Sequence, residues 1–231
     1  KKRLSPYRSS LSLFNKSYNK INSILDSLEI QKVHGILLDL GLSSFQLDSK
    51  DRGFSYKTNC ELDMRFDRSQ KKSAFNIVNN MPERMLADLI YHNSEEKRSR
   101  AIARKIISMR PINKVFDLVE AIKKSTPPFK RDKTISRVFQ AVRISVNNEL
   151  EKLDHFLSTF YPRLLNGGRI VIISFHSLED RKVKHAFKLL KRENKVQILT
   201  KKPLIPTEME IVENSRSRSA KLRAAERKND G

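Results

Sequence analysis

The sequence predicts an α/β fold, a sheet domain whose chain is interrupted by an inserted helical region. Three observations predict it: two short apolar runs that each lead into a polar turn, a long stretch of helical spacing between them, and two strand-like segments near the end. Val33 to Leu38 is ended by Asp39, then Gly41 and Ser43-Ser44, which reads as a buried parallel strand entering a tight loop. In open α/β sheets, the loops at the carboxyl ends of the strands face the ligand.

The second run, Arg169 to Phe175, is introduced by Asn166-Gly167-Gly168 and followed by Ser177-Leu178-Glu179-Asp180. A Ser with an acid three residues on is a capping-box pattern, so a helix is predicted to start at Ser177, with Val183, Phe187 and Leu190 on one face. Between the two runs, Ile102 and Ile106, then Val115, Leu118, Val119 and Ile122, recur at helical intervals. The stripe Val138, Val142, Val146, Leu150, Leu153, Leu157 predicts one long helix leading back to the sheet. Val196 to Leu199 and Ala220 to Ala224 read as a terminal hairpin, separated by the Pro203 and Pro206 loop and the polar segment Glu213 to Ser219. The predicted division is a discontinuous sheet domain, 1–45 with 141–231, and a helical insertion, 46–140.

At 231 residues and 38% hydrophobic content the chain can bury a real core, and its formal charge of +21 exceeds what solubility requires. A polyanionic partner is the first expectation, and nucleic acid is favoured because basic segments interleave with the helices. Compositional drift in a Lys-, Asn- and Ile-rich chain is the bland alternative. The longest apolar runs are far too short to span a bilayer, and Lys1-Lys2-Arg3 is not followed by a signal-peptide core, so no membrane partner is expected. A single cysteine, Cys60, excludes an internal disulfide framework and a Cys-based zinc site; the cytoplasm is the expected compartment.

Four clusters carry the chemistry. They are Leu37 to Asp48; Arg52-Gly53-Phe54-Ser55 with Leu62 to Asp67; Phe139 to Ile144 with Val146 to Leu150; and Ile173 to Arg181. With these four motifs in this order, over nearly its whole length, the chain resembles the bacterial methyltransferases of the MraW type. The resemblance implies a class I, Rossmann-like methyltransferase sheet with an inserted helical substrate domain. It also implies transfer of a methyl group from S-adenosylmethionine to the exocyclic N4 of a cytidine in the decoding region of 16S, small-subunit ribosomal RNA. The partner would be that RNA or the small ribosomal subunit, with no DNA expected. In the family a Gly-rich loop after the first strand and an acid after the second hold the cofactor. This sequence has only 6 Gly, the first at Gly35, and matches neither element. The fold is therefore expected to be N-terminally truncated, with Ser10 to Phe14 as a remnant of the third strand. Cofactor binding by the chain as given is expected to be weakened, because an open cleft edge cannot desolvate its ligand.

Carried over by position, the resemblance implies that Tyr18, Asp39 and Gln46 bind the cofactor. An aromatic face at Tyr18 suits adenine stacking. Cytosine N4 is a poor nucleophile because its lone pair is shared with the ring, so positioning is the main task and an acceptor for the amine proton helps. Asp39, the Leu40 carbonyl, Ser43 and Ser44 are candidates for that acceptor, and Asp39 is preferred. Asp63, Arg65 and Asp67 read as a salt-bridge cluster, a substrate clamp or, less readily, a metal site, since hard cations need more oxygen ligands than this stretch supplies. Asp63, Arg65, Asn147, Ser174 and His176 are the expected substrate-side residues, and no metal is expected. Ser174, His176, Ser177 and Asp180 crowd one strand end and one helical turn, where a nucleophilic triad cannot form, so His176 is expected to position substrate or cap the helix. The target base must be single-stranded or flipped out. Arg98, Arg100, Arg104, Lys105, Lys123, Lys124, Lys130, Arg131, Lys133 and Arg137 make the helical insertion the expected phosphate-contacting surface. Two other readings remain open: a noncatalytic RNA- or ribosome-binding protein that keeps the fold, and a metal nuclease using Asp39, Asp63 and Asp67.

Overall fold

The computed structural model describes residues 10–229, which divide into two compact units. One unit is formed by the chain up to Leu40 and from Glu151 onward; the other is Gly41–Leu150. The predicted second boundary, 140/141, falls inside an unbroken helix, Arg131–Asn147, so the observed division comes ten residues later.

In the first unit, a 3-10 turn, Tyr18–Lys20, leads into α1 (Ile21–Ser27) and then β1 (Val33–Asp39). The chain returns through α8 (Glu149–Thr159) to β2 (Leu164–Ser174), α9 (Ser177–Arg192), β3 (Val196–Ile198), α10 (Glu208–Glu213) and β4 (Lys221–Arg227). The sheet order is β1-β2-β4-β3. β1 and β2 are parallel neighbours, with Ile36 opposite Ile170 and Asp39 opposite Ile173. β4 pairs antiparallel with both β2 and β3, which is the predicted terminal hairpin placed against the second apolar strand. The register between β1 and β2 jumps after Val33, where β2 carries Asn166-Gly167-Gly168. A Cβ at position 168 would lie 2.7 Å from the Leu165 carbonyl oxygen, so the irregularity depends on glycine there.

One face of this sheet is buried. Ile36, Leu38, Ile170, Ile172 and Ala225 pack with Leu153 and Phe156 of α8, with Phe160 just after it, and with Val183 and Phe187 of α9. The other face is thinner, and Leu37 is 71% exposed on it. The expectation of a wholly buried β1 is therefore corrected: among the described residues β1 pairs on one side only and buries alternate residues. Residues 11–14 form no strand, so the Ser10 to Phe14 segment is not the remnant strand that was expected.

The second unit is helical: α2 (Ser44–Asp48), α3 (Ala74–Asn80), α4 (Glu83–Ser94), α5 (Ser99–Ser108), α6 (Val115–Lys124) and α7 (Arg131–Asn147). The residues read at helical spacing are its core. Ile102 and Ile106 of α5, Val115, Leu118, Val119 and Ile122 of α6, and Val138, Val142 and Val146 of α7 all join one apolar cluster. The predicted single long helix is two helices. Asn148 adopts a left-handed conformation (φ +50°), and its N–H bonds the Ile144 carbonyl, closing α7 before α8 begins at Glu149. The Arg143 guanidinium donates twice to the Glu149 carboxylate across this break, at 2.9 and 3.0 Å.

Candidate active site

Parallel pairing brings the carboxyl ends of β1 and β2 to the same edge of the sheet, as the sequence predicted. Asp39 closes β1 opposite Ile173, and the Leu40 N–H extends the ladder to the Ile173 carbonyl at 3.0 Å. The chain then turns at Gly41 with φ +91°, a conformation that favours glycine. Among the described residues the Asp39 carboxylate makes no hydrogen bond or ion pair, and partial desolvation at the strand end pushes its pKa above the ordinary aspartate value.

Side-chain alternation sets a limit on how the edge is shared. Asp39 and Ile173 lie on one face of the sheet, whereas Ser174 lies on the other, in the core. The Ser174 hydroxyl is buried and donates to the Lys221 carbonyl at 3.3 Å. His176 is the N-cap of α9; the predicted cap, Ser177, is its first helical residue. The Nδ1 of His176 accepts the Glu179 N–H at 3.3 Å, and its Nε2 lies 3.2 Å from a carboxylate oxygen of buried Glu179. The other Glu179 oxygen accepts the Phe175 N–H at 3.0 Å. Asp180 faces Arg223, which donates to it at 2.6 and 3.2 Å. Acid, imidazole and hydroxyl thus each have separate structural partners, and no nucleophilic triad is assembled. Tyr18 is half-buried, its ring edge-on to Phe156 at 5.7 Å.

In the second unit, Ser43 caps α2 in a capping box. Its hydroxyl accepts the Gln46 N–H at 3.2 Å, and the Gln46 carboxamide oxygen accepts from the Ser43 N–H and hydroxyl, each at 3.1 Å. Gln46 therefore has its amide NH2 left to offer a ligand, and Ser43 is mainly a cap. Ser44 is exposed at the first helical position.

Asp63 is buried and held by the Arg65 guanidinium at 2.6 and 3.3 Å, with Arg68 3.4 Å away. Arg65 also donates to the Gln70 carbonyl at 2.8 Å, and Arg68 bonds Asp51 at 2.6 Å. A carboxylate gripped by two guanidiniums is poorly placed to bind a cation. Two hollows, of 420 and 570 Å³, share Glu61, Asp63, Arg65 and Lys114 in their walls. Burial pushes the Cys60 thiol upward in pKa, which makes it a poor nucleophile. Asn147 is 1% exposed and fully engaged: its oxygen accepts the Phe66 N–H at 2.7 Å, and its amide donates to the Met64 and Arg143 carbonyls at 2.8 and 2.9 Å. It ties the end of α7 to the Leu62 to Asp67 motif. Asp51 and Arg68 were not among the residues read from sequence, and Glu179 was read only as part of the Ile173 to Arg181 motif, with no role of its own. Asp51 and Arg68 are 17 positions apart, and no local pattern marks the pair.

The family model described as the MraW methylase family matches residues 1–228. The chain belongs to the MraW methylase family. Curated relatives named ribosomal RNA small subunit methyltransferase H include a Kosmotoga olearia protein, 50% identical over 97% of this chain and 76% of its own length. Another, from Thermotoga neapolitana, is 48% identical over all of this chain and 78% of the relative. A third, from Trichormus variabilis, is 50% identical over 84% of this chain and 64% of the relative. The parallel β1–β2 pair and the terminal antiparallel strands are thus part of a class I, Rossmann-like methyltransferase sheet, and the protein is a methyltransferase of the MraW family.

Proposed function

We propose that this MraW-family protein transfers a methyl group from S-adenosylmethionine to the exocyclic N4 of a cytidine in 16S ribosomal RNA, near the decoding site, in the cytoplasm. The observation that carries the reading is the Asp39 carboxylate, set without a partner among the described residues at the carboxyl end of a parallel strand beside β2. The names of the relatives, which specify small-subunit ribosomal RNA, support the substrate, and the +21 charge suits an RNA partner. No helix among the described residues is long and apolar enough to cross a membrane.

The donor set fits the cofactor. S-adenosylmethionine carries a sulfonium and an ammonium, and an unpartnered carboxylate at the sheet edge is complementary to cationic groups. When bound, the cofactor supplies an electrophilic methyl. Within the sheet unit Asp39 would hold it beside the half-buried ring of Tyr18; Gln46, whose amide NH2 its capping box leaves unused, is proposed as a cofactor residue on the family resemblance alone. Asp39 is also the proposed acceptor for the amine proton: desolvation raises its pKa, which makes its carboxylate a stronger base than an ordinary aspartate. Ser44 and the capping hydroxyl of Ser43 shape the loop that follows. On the substrate side, Asp63 and Arg65 would face RNA. Asn147, Ser174 and His176 act through other residues, since their polar atoms hold the motif loop, β4 and the start of α9.

The test is incubation with methyl-tritiated S-adenosylmethionine and small ribosomal subunits or 16S RNA lacking the modification, followed by nucleoside analysis. Label in N4-methylated cytidine is expected. Label on another atom, or RNA binding with no transfer, would overturn the assignment, the second outcome favouring a noncatalytic RNA-binding protein.

A further inference from the structure

The helical unit contains a second cleft of strongly one-sided charge. It measures 680 Å³, and Arg98, Arg104, Lys105, Lys123, Lys124 and Arg131 line it with no Asp or Glu in the wall. It is bounded by α5, the last turn of α6 and the start of α7. Two of the six cations are fixed by the floor: the Arg98 Nε donates to the Ser125 carbonyl at 3.0 Å, and the Arg131 Nε to the Thr126 carbonyl at 3.3 Å. Lys105 and Lys123 have no acidic partner among the described residues, while Arg104 and Lys124 make loose, exposed pairs with Glu83 and Glu120 at 3.6 and 3.5 Å. Thr126, 5% exposed and part of the lining, has a buried hydroxyl with no hydrogen-bond partner in the unit.

Beside this cleft stands an aromatic ring with almost nothing on it. Phe129 is 82% exposed, two residues from Pro127 and two from Arg131, both in the cleft wall. Its one described ring neighbour is the Lys130 ammonium, 5.3 Å from the centroid. A single exposed apolar ring is ordinary on a protein surface, but a ring next to converging cations is the arrangement that takes an unstacked base and its phosphates together.

We propose that this cleft binds a single-stranded segment of the RNA substrate outside the methylated nucleotide, with backbone phosphates among Lys105, Lys123 and the fixed arginines and a base stacked on Phe129. The proposal rests on the RNA reading above and extends it to a second contact region. A duplex cannot present an unstacked base, so single-stranded RNA is the committed ligand.

The test measures binding of a labelled single-stranded small-subunit RNA fragment, and of a duplex of equal length, as a function of salt. Each exposed-phosphate contact removed lowers the slope of log affinity against log salt by about 0.7 for single strands, so Lys105→Ala/Lys123→Ala is expected to lower it by about 1.4. Phe129→Ala is expected to weaken single-stranded binding about fivefold or more, with the slope unchanged and duplex binding unaffected. A control, Lys184→Ala/Lys188→Ala on α9, removes the same charge elsewhere and is expected to change the slope less. Equal effects of the two lysine pairs, or no effect of Phe129→Ala on single strands, would overturn the proposal, as would a wild type without RNA affinity. If the wild type binds through this cleft but methylates no RNA, the methylation reading falls and the cleft stands.

Discussion

Asp39 is the residue on which the proposed site depends. Its carboxyl is pushed above the usual aspartate value by desolvation, and in the proposed role its ionised form attracts the cationic ligand and accepts the proton. As pH falls, activity is therefore expected to drop along an acid limb that begins above the range of an ordinary aspartate, and Asp39→Asn should abolish that limb along with most of the rate. A pH profile of kcat/KM checks both. Stability runs the other way. A carboxyl raised in the folded state favours its protonated form, so its stabilising effect is present at low pH and lost as pH rises through the folded value. Asp39→Asn is accordingly expected to leave the melting temperature at neutral pH unchanged or slightly raised. Asn147 behaves oppositely: Asn147→Ala leaves the Phe66 N–H and Met64 carbonyl without their partner and is expected to destabilise the fold by about 2–3 kcal/mol, read by denaturant unfolding.

At the scale of elements, the break between α7 and α8 is the sharpest test of how local chemistry sets the fold. Asn148 holds a left-handed backbone that a β-branched side chain resists, so Asn148→Val is expected to cost about 1–2 kcal/mol in chemical denaturation while Asn148→Gly stays near neutral. This break was not legible in the sequence, because the apolar spacing of Val142, Val146, Leu150 and Leu153 runs straight across it. The parallel pairing of the two apolar runs, the terminal hairpin and the cores of α5 and α6 were legible, since each is carried by periodicity within one segment. What escaped depended on contacts between segments: the one-sided burial of β1, the Arg68–Asp51 pair, and the packing of α5, α6 and α7 that places a basic cleft beside Phe129; the pairing of Asp63 with Arg65 was one of the readings the spacing left open. His176 as the cap of α9 was half visible. The acid pattern marked the helix start, but an imidazole accepting the Glu179 N–H one residue earlier has the same effect as the serine that spacing pointed to.

At the scale of the molecule, the two proposed sites belong to different units: the Asp39 sheet edge to one, and the basic cleft to the helical one. If about six phosphates of a single strand are contacted, affinity for small-subunit RNA is expected to fall roughly three-hundredfold between about 50 and 200 mM salt. The account as a whole stands on the sheet edge as the methyl-donor site. Its most direct test is a calorimetric titration of S-adenosylmethionine into the wild-type protein and into Asp39→Asn. Binding by the wild type, and a loss of tenfold or more in the variant at an unchanged melting temperature, is the predicted result. Equal affinity in the two proteins would contradict it.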